Sequence, residues 1–372
     1  MTSETEVRTT EPPWRRLTER WTLKNWFLLA ALVASLLLLS WLLLSFGSII
    51  TDRIRVPDYY LFRRFGREIL AGQGAYESGR LYYPLPTAIF VFVPLALLPE
   101  QVRWLWVAAP VLLLFLILGR DAVWALPFLP LLVHTKWGQL SGVLAIFYVW
   151  LNSENKRLSG VGAGLFCLKP QVAAIPVLWS LWRWCRDRDK ERLLAFCGTL
   201  AFLCLPAFLL EPDWPIQWLR NARPFQPFVS PSVWGFFWGL RCLPRWFWLW
   251  VTLSVLAIAI SAGLVMWRHR RELDLDKIST WGFLVNPFIF VYDQVLLLPT
   301  LKGKRNAIIM VTGLSYACML VEGLVLGDGA GSFVLVPLTL LATWRWHTRP
   351  RTSSPTLDDS SARQVEAPPA PH

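Results

Sequence analysis

The sequence predicts an all-α fold, a polytopic transmembrane helical bundle, and three observations carry that prediction. Of its 372 residues 55% are hydrophobic, and the mean hydropathy is +0.42. The apolar residues fall in long uncharged runs, several of which match the roughly 20 helical residues that cross a bilayer core. The chain also carries 23 Trp and 22 Phe, an aromatic load that fits a polytopic membrane protein, where amphipathic rings such as Trp gather at the headgroup level.

The elements follow in order. Residues 1–25 are polar and basic, with Pro12, Pro13, Arg15, Arg16, Arg20 and Lys24, and read as a cytoplasmic N-terminal segment. The apolar stretch 26–50 is too long for a signal-peptide core, and "SFGSII" is a poor cleavage context, so it reads as a retained first span. Uncharged runs follow at 82–99, 104–119, 122–135, 137–153, 193–210, 246–267, 306–321 and 329–344. Two further runs carry one charge each: Lys169 within 158–182 and Asp293 within 278–301. These two are expected to be broken helices or re-entrant pairs, which a membrane tolerates where they line a polar cavity. The total is about 10–12 spans. "RDRDKER", "RHRR", "KGKR" and "RWHTRPR" separate the later runs and place those loops in the cytoplasm by the positive-inside bias. Residues 47–82 and 211–245 are long extracytoplasmic loops, the second rich in Pro and Trp and expected to fold as a cap. The membrane domain covers 26–346, and the Ser-, Pro- and Ala-rich tail 347–372 is expected to be disordered. The chain is thus expected to be a multi-pass protein of the cell membrane with its N-terminus in the cytoplasm.

Composition also excludes several classes. The net charge of +12 would raise nucleic acid as a partner in a soluble protein. Here the basic residues lie between apolar runs, where they report orientation and anionic lipid, so no nucleic acid is expected. The six cysteines form no Cys-x-x-Cys pair, and most lie within or beside apolar runs as small hydrophobes. The four histidines are scattered. No metal site and no cofactor is expected.

The first loop, "RIRVPDYYLFRRFGREILAGQGAYESGRLYYPLP", runs against the positive-inside bias with Arg53, Arg55, Arg63, Arg64, Arg67 and Arg80. Over 58–71 the positions Asp58, Phe62, Phe65 and Ile69 share one helical face. This predicts an amphipathic helix at the headgroup boundary. Its arginines either attract anionic lipid or grip a phosphate in two-pronged fashion. Asp58, just after Pro57, is placed to cap this helix or to act as a general base at the water–lipid boundary, and the two roles are compatible. Lys169 in "GAGLFCLKPQ" either snorkels from a short helix or serves a site, since an intramembrane Lys is a functional hypothesis by default. Asp293 in "NPFIFVYDQVLLLP" follows the same logic as a partner or ligand contact. Gln139 in "KWGQLSG" opens another apolar run and is a weak signal alone.

Taken in order, these blocks resemble the family 87 glycosyltransferases, polytopic enzymes of the GT-C superfamily related to polyprenyl-phosphate-mannose-dependent alpha-mannosyltransferases. The resemblance rests on Asp58-Tyr59, the Gly72 and Tyr76 element, Tyr83-Pro84, Leu98-Pro99, Gly138-Gln139, the block with Lys169 and the late block with Asp293. Leu85 stands where the family often has a second Pro, and Tyr292-Asp293-Gln294 where it often has a His. The resemblance implies a GT-C-like bundle that moves a sugar, mannose by analogy, from a polyprenyl-phosphate donor to a lipid or glycan acceptor at the extracytoplasmic face. It implies inversion, with Asp58 as base and Lys169, Arg63, Arg64, Arg67, Tyr76, Tyr83, Gln139 and Asp293 as substrate contacts. A transporter or flippase for lipid-linked sugars and a non-catalytic membrane scaffold are the rival readings.

Overall fold

The computed structural model describes residues 56–72, 87, 89–210, 212–220, 229–239, 247–269, 273–322, 324 and 330–347. The expected first span at 26–50, the loop residues Tyr76 and Tyr83, and the tail beyond 347 lie outside the described residues. By contacts the chain divides into Met1–Pro57 and Asp58–His372, and the polar site of the bundle lies in the second unit. The described residues are about 85% helical and contain no strand.

The helices are α1 (Pro57–Leu70), α2 (Ile89–Leu97), α3 (Arg103–Leu118), α4 (Ala122–Ala125), α5 (Leu129–Trp137), α6 (Ser141–Leu151), α7 (Lys156–Phe166) and α8 (Pro170–Arg186). They continue with α9 (Lys190–Leu210), α10 (Trp214–Arg220), α11 (Val233–Gly239), α12 (Phe247–His269), α13 (Leu275–Val285), α14 (Arg305–Val321) and α15 (Leu335–His347). Among the described residues three stretches are long and apolar enough to cross a membrane: Glu100–Ala125, Lys190–Leu210 and Phe247–Trp267. Shorter apolar helices lie at Ser141–Leu151, Arg305–Val321 and Gly331–Trp344. At 1.5 Å per residue, a 21-residue helix such as α9 is about 31 Å long, the thickness of a hydrocarbon core. The outer face of α9 exposes Leu194, Phe202, Leu205 and Leu209. Along α12, Trp248 and Trp267 are both exposed and sit about 28 Å apart by helical rise, the spacing of two aromatic belts. The fold is an all-α membrane bundle.

Glycines decide how closely the middle of the bundle packs. In α7 a Cβ at Gly160 would lie 2.4 Å from the Arg192 carbonyl oxygen, and one at Gly164 would lie 2.6 Å from Thr199 Cβ, both on α9. On the other side, a Cβ at Gly162 would come 2.5 Å from the Leu151 backbone nitrogen at the end of α6. The run "SGVGAG" thus lets α7 lie pressed between two neighbours, the small-residue device of membrane helix pairs. Asn155 starts α7 by accepting the Leu158 N–H at 3.0 Å, a side-chain cap.

Both singly charged runs are broken. α7 ends at Phe166, and Lys169 is the N-cap of α8 with Pro170 in its first turn. Proline there costs no hydrogen bond, because the first N–H groups of a helix lack intrahelical partners. α13 ends before Asn286, which is extended, as a residue before proline tends to be. After Pro287 the chain runs to Phe290 and enters a 3₁₀ segment, Val291–Leu301. Eleven residues is long for a 3₁₀ helix, which rarely exceeds 3–4. Its residues from Asp293 to Leu301 are all buried, with Val295, Leu296, Leu297 and Leu298 in the main core beside Leu144, Phe166 and Ile308.

α1 forms where the periodicity placed it, but its apolar face meets protein. Phe62 stacks on Phe92 with ring centroids 4.9 Å apart, and Phe65 lies 5.8 Å from the same ring. A Cβ at Gly66 would fall 2.0 Å from the Phe92 carbonyl oxygen, so glycine allows α1 to cross α2 in contact. The expectation that this face sinks into the headgroup layer is corrected accordingly: aromatic stacking on α2 takes up Phe62 and Phe65. Of the loop 211–245, α10 and α11 are described; Trp234 of α11 donates to the Val285 carbonyl at 2.9 Å, which fastens α11 to the end of α13.

Candidate active site

Four helix ends and breaks carry the polar groups of one site. The first turn of α1 holds Asp58, the turn between α5 and α6 holds Gln139 and Ser141, the break before α8 holds Lys169, and the start of the 3₁₀ segment holds Asp293. Helix ends leave backbone groups unpaired, which makes them the natural place for polar side chains in an apolar bundle.

Asp58 is the second residue of α1, inside the first turn, and its Oδ2 accepts a hydrogen bond from Gln139 Nε2. Gln139 is 4% exposed. Its backbone is set by Gly138, which caps α5 in the left-handed conformation at φ 69°, a geometry glycine adopts without strain. Trp106 of α3 ties the two partners together. Its indole N–H donates to the Gly138 carbonyl at 2.8 Å, and its ring lies 6.4 Å from that of Tyr59 and 6.2 Å from that of Phe62. Burial pushes the Asp58 carboxyl up to about 6, with the Lys169 ammonium pulling the other way. Lys169 is therefore close enough for its field to act on Asp58.

Behind this pair lies an ionic cluster. The Lys169 ammonium donates to Asp293 Oδ1 and, at 2.8 Å, to Ser141 Oγ. The Ser141 hydroxyl donates to the same Asp293 oxygen, while Asp293 Oδ2 accepts the Phe290 N–H at 2.9 Å. The ammonium also lies 4.8 Å from the centre of the Tyr292 ring, within cation–π range. Asp293 is 0% and Lys169 6% exposed. Gln139 and Ser141 lie two residues apart on one turn, so a single backbone segment touches both the carboxylate and the cation. His134 braces that segment by accepting the Gly142 N–H at Nε2, 2.7 Å away, which puts its own proton on Nδ1.

The arginines of α1 divide. Arg63 is buried, and its Nη2 donates to the Leu98 carbonyl at 2.8 Å. Arg64 is exposed and pairs with Glu68 at 3.1 Å, while Arg67 is exposed. Asp58, Gln139, Lys169 and Asp293 are thus linked, Arg63 serves the end of α2, and Arg64 and Arg67 face outward. Ser141, His134 and Trp106 complete the arrangement; nothing in the pattern of their runs marked them out. Among the described residues no group of three or more His, Cys, Asp or Glu is placed to hold a metal ion.

The site sets a half-buried carboxylate, Asp58, beside a buried cation, Lys169, in a bundle of apolar helices. The model for glycosyltransferase family 87 matches residues 82–292, more than half of the chain. The chain belongs to that family and is a membrane glycosyltransferase. The match includes Gln139, Ser141 and Lys169, begins after Asp58 and stops one residue short of Asp293. No curated protein and no solved structure matches the chain.

Proposed function

We propose that the protein transfers a sugar, mannose by analogy, from a polyprenyl-phosphate donor to a lipid or glycan hydroxyl at the extracytoplasmic face, with inversion and with Asp58 as general base. The observation that carries this reading is the Asp58 carboxylate: partly withdrawn from water, oriented by Gln139 and in the field of Lys169. A carboxylate raised to about 6 is a better base than an exposed one and is still ionised near neutral pH.

In the reaction the Asp58 carboxylate takes the proton of the acceptor hydroxyl. The acceptor oxygen forms a bond to the anomeric carbon from the face opposite the phosphate. The bond from that carbon to the phosphate oxygen breaks, and its electron pair stays on the polyprenyl phosphate. Asp58 then gives its proton to water. Lys169 meets the phosphate and offsets the charge that develops on it, with Arg64 and Arg67 as outer cations. Arg63 braces α1 against the Leu98 carbonyl. One carboxylate suffices, because no sugar–enzyme bond is formed.

The N-terminus lies in the cytoplasm in this reading, and the donor enters sideways from the outer leaflet. The test is transfer of radiolabelled sugar from a polyprenyl-phosphate donor by purified wild-type and Asp58→Asn protein. Loss of turnover in the variant with donor binding retained supports the assignment; wild-type turnover refutes it. A flippase would instead move the lipid across liposomes without making a glycosylated product.

A further inference from the structure

We propose that Asp293 is the resident counter-ion of Lys169 and competes with the lipid phosphate for its ammonium, so that it promotes release of polyprenyl phosphate after transfer. This rests on the proposed role of Lys169 in meeting the donor phosphate.

Among the described residues the ammonium meets Ser141 Oγ, Asp293 Oδ1 and the Tyr292 ring. Its charge is balanced by a carboxylate that is 0% exposed and is held in place by the Phe290 N–H. Such a pair is an expensive way to join two helix breaks. Taking both charges out of water costs more than packing two hydrophobic residues of the same volume, so a buried pair is weak evidence for a purely stabilising role. Among these three contacts the aromatic face is the weakest and the most readily exchanged for an anionic oxygen.

The chemistry of the substrates gives the competition a direction. The donor is a phosphodiester with one negative charge. The product is a phosphomonoester, which carries about −1.5 to −2 at pH 7, like other monoesters with a second pKa near 6. Turnover therefore leaves the more strongly held anion on Lys169. A fixed carboxylate on the same ammonium repels the doubly charged product more than the singly charged donor, and retakes the cation when the product leaves. Without Asp293, Lys169 would be a buried cation with no carboxylate in hydrogen-bond contact among the described residues, and would retain the product.

The test is Asp293→Asn in detergent-solubilised full-length protein. Binding of decaprenyl phosphate is measured by thermal shift and by titration, beside neutral decaprenol and phosphatidylglycerol. The expected result is a Kd for decaprenyl phosphate at least tenfold below that of wild type. Decaprenol and phosphatidylglycerol should be unchanged, and steady-state transfer should show product inhibition at correspondingly lower concentration. A ligand that binds only the folded state raises its melting temperature, so decaprenyl phosphate should raise that of the Asn variant more than that of wild type. A merely structural pair predicts a less stable variant with unchanged or weaker phosphate binding, and that result overturns the proposal. An equal gain with phosphatidylglycerol also overturns it, by assigning the cation to bulk lipid.

If Asp293→Asn does not fold, the double variant Lys169→Met with Asp293→Leu replaces both charges by apolar groups. It should lose decaprenyl phosphate binding at least tenfold, whereas wild-type affinity there overturns the proposal. Asp58→Asn separates the two readings. If neither wild type nor Asp58→Asn binds any polyprenyl phosphate, the donor assignment fails and this proposal with it. If both bind and Asp293→Asn gains nothing, only the counter-ion role fails.

Discussion

Replacing Gln139 by Leu removes a side-chain donor from Asp58 and keeps most of the side-chain volume. In the native site the Gln139 amide N–H bonds to Asp58 Oδ2 and favours the ionised form. A hydrogen bond to a charged group contributes about 1.5–3 kcal/mol, and one pK unit corresponds to about 1.4 kcal/mol. The carboxyl, already raised by burial to about 6, should therefore rise further in Gln139→Leu. The assay is kcat/KM for sugar transfer between pH 5 and 9. With Asp58 as base, the wild-type profile falls on the acid side with a midpoint near 6, about tenfold per pH unit below it, because the base must be ionised in the free enzyme. In Gln139→Leu the same limb should move to higher pH, with activity approaching the wild-type level again at high pH. An acid limb that stays where it was, or a loss of activity equal at every pH, would show that Gln139 does not act through the ionisation of Asp58.

Other expectations follow from the same geometry. The folded pKa of Asp58 lies above the ordinary value of 3.8, so the folded state favours the protonated form and loses stability as pH rises from about 4 through about 6. With allowance for solvent screening this amounts to about 1–2 kcal/mol. Asp58→Asn should therefore melt at or above the wild-type temperature at pH 7.5, with the difference shrinking at pH 4.5. Ser141→Ala removes the hydroxyl shared by Lys169 and Asp293 and should lower kcat/KM by about tenfold, in line with about 1–3 kcal/mol for a buried polar contact. Gly160→Val would drive a side chain into the Arg192 carbonyl and should cost about 2 kcal/mol or more in thermal unfolding. Gly198→Ala on α9, where a Cβ meets nothing within 4 Å, should be neutral or stabilising by up to about 1 kcal/mol.

What the sequence disclosed about this site depended on contrast. Asp58, Lys169 and Asp293 stand out because a charge beside or within an apolar run is costly, and Lys169 and Asp293 both sit at helix breaks near a proline. The bundle class was legible for the same reason. Which groups pair with which was not legible: Lys169 and Asp293 are 124 residues apart, and periodicity says nothing about contacts between distant runs. Ser141, His134 and Trp106 are ordinary members of apolar stretches, and their roles come from tertiary placement. Arg63 reads like its neighbours Arg64 and Arg67 in a sequence; it differs because its position on α1 faces the open carbonyl of Leu98. The apolar face of α1 was visible in the pattern, but whether lipid or protein would cover it was decided by Gly66 and Phe92.

The proton transfer assigned to Asp58 is the step on which the proposed reaction depends most. The most direct measurement is single-turnover transfer from a radiolabelled polyprenyl-phosphate sugar by purified wild-type and Asp58→Asn enzyme, with donor affinity measured on the same preparations. The expected result is a rate lower by about 10²–10⁴-fold in the variant at an unchanged donor Kd. Transfer by Asp58→Asn at the wild-type rate would contradict it.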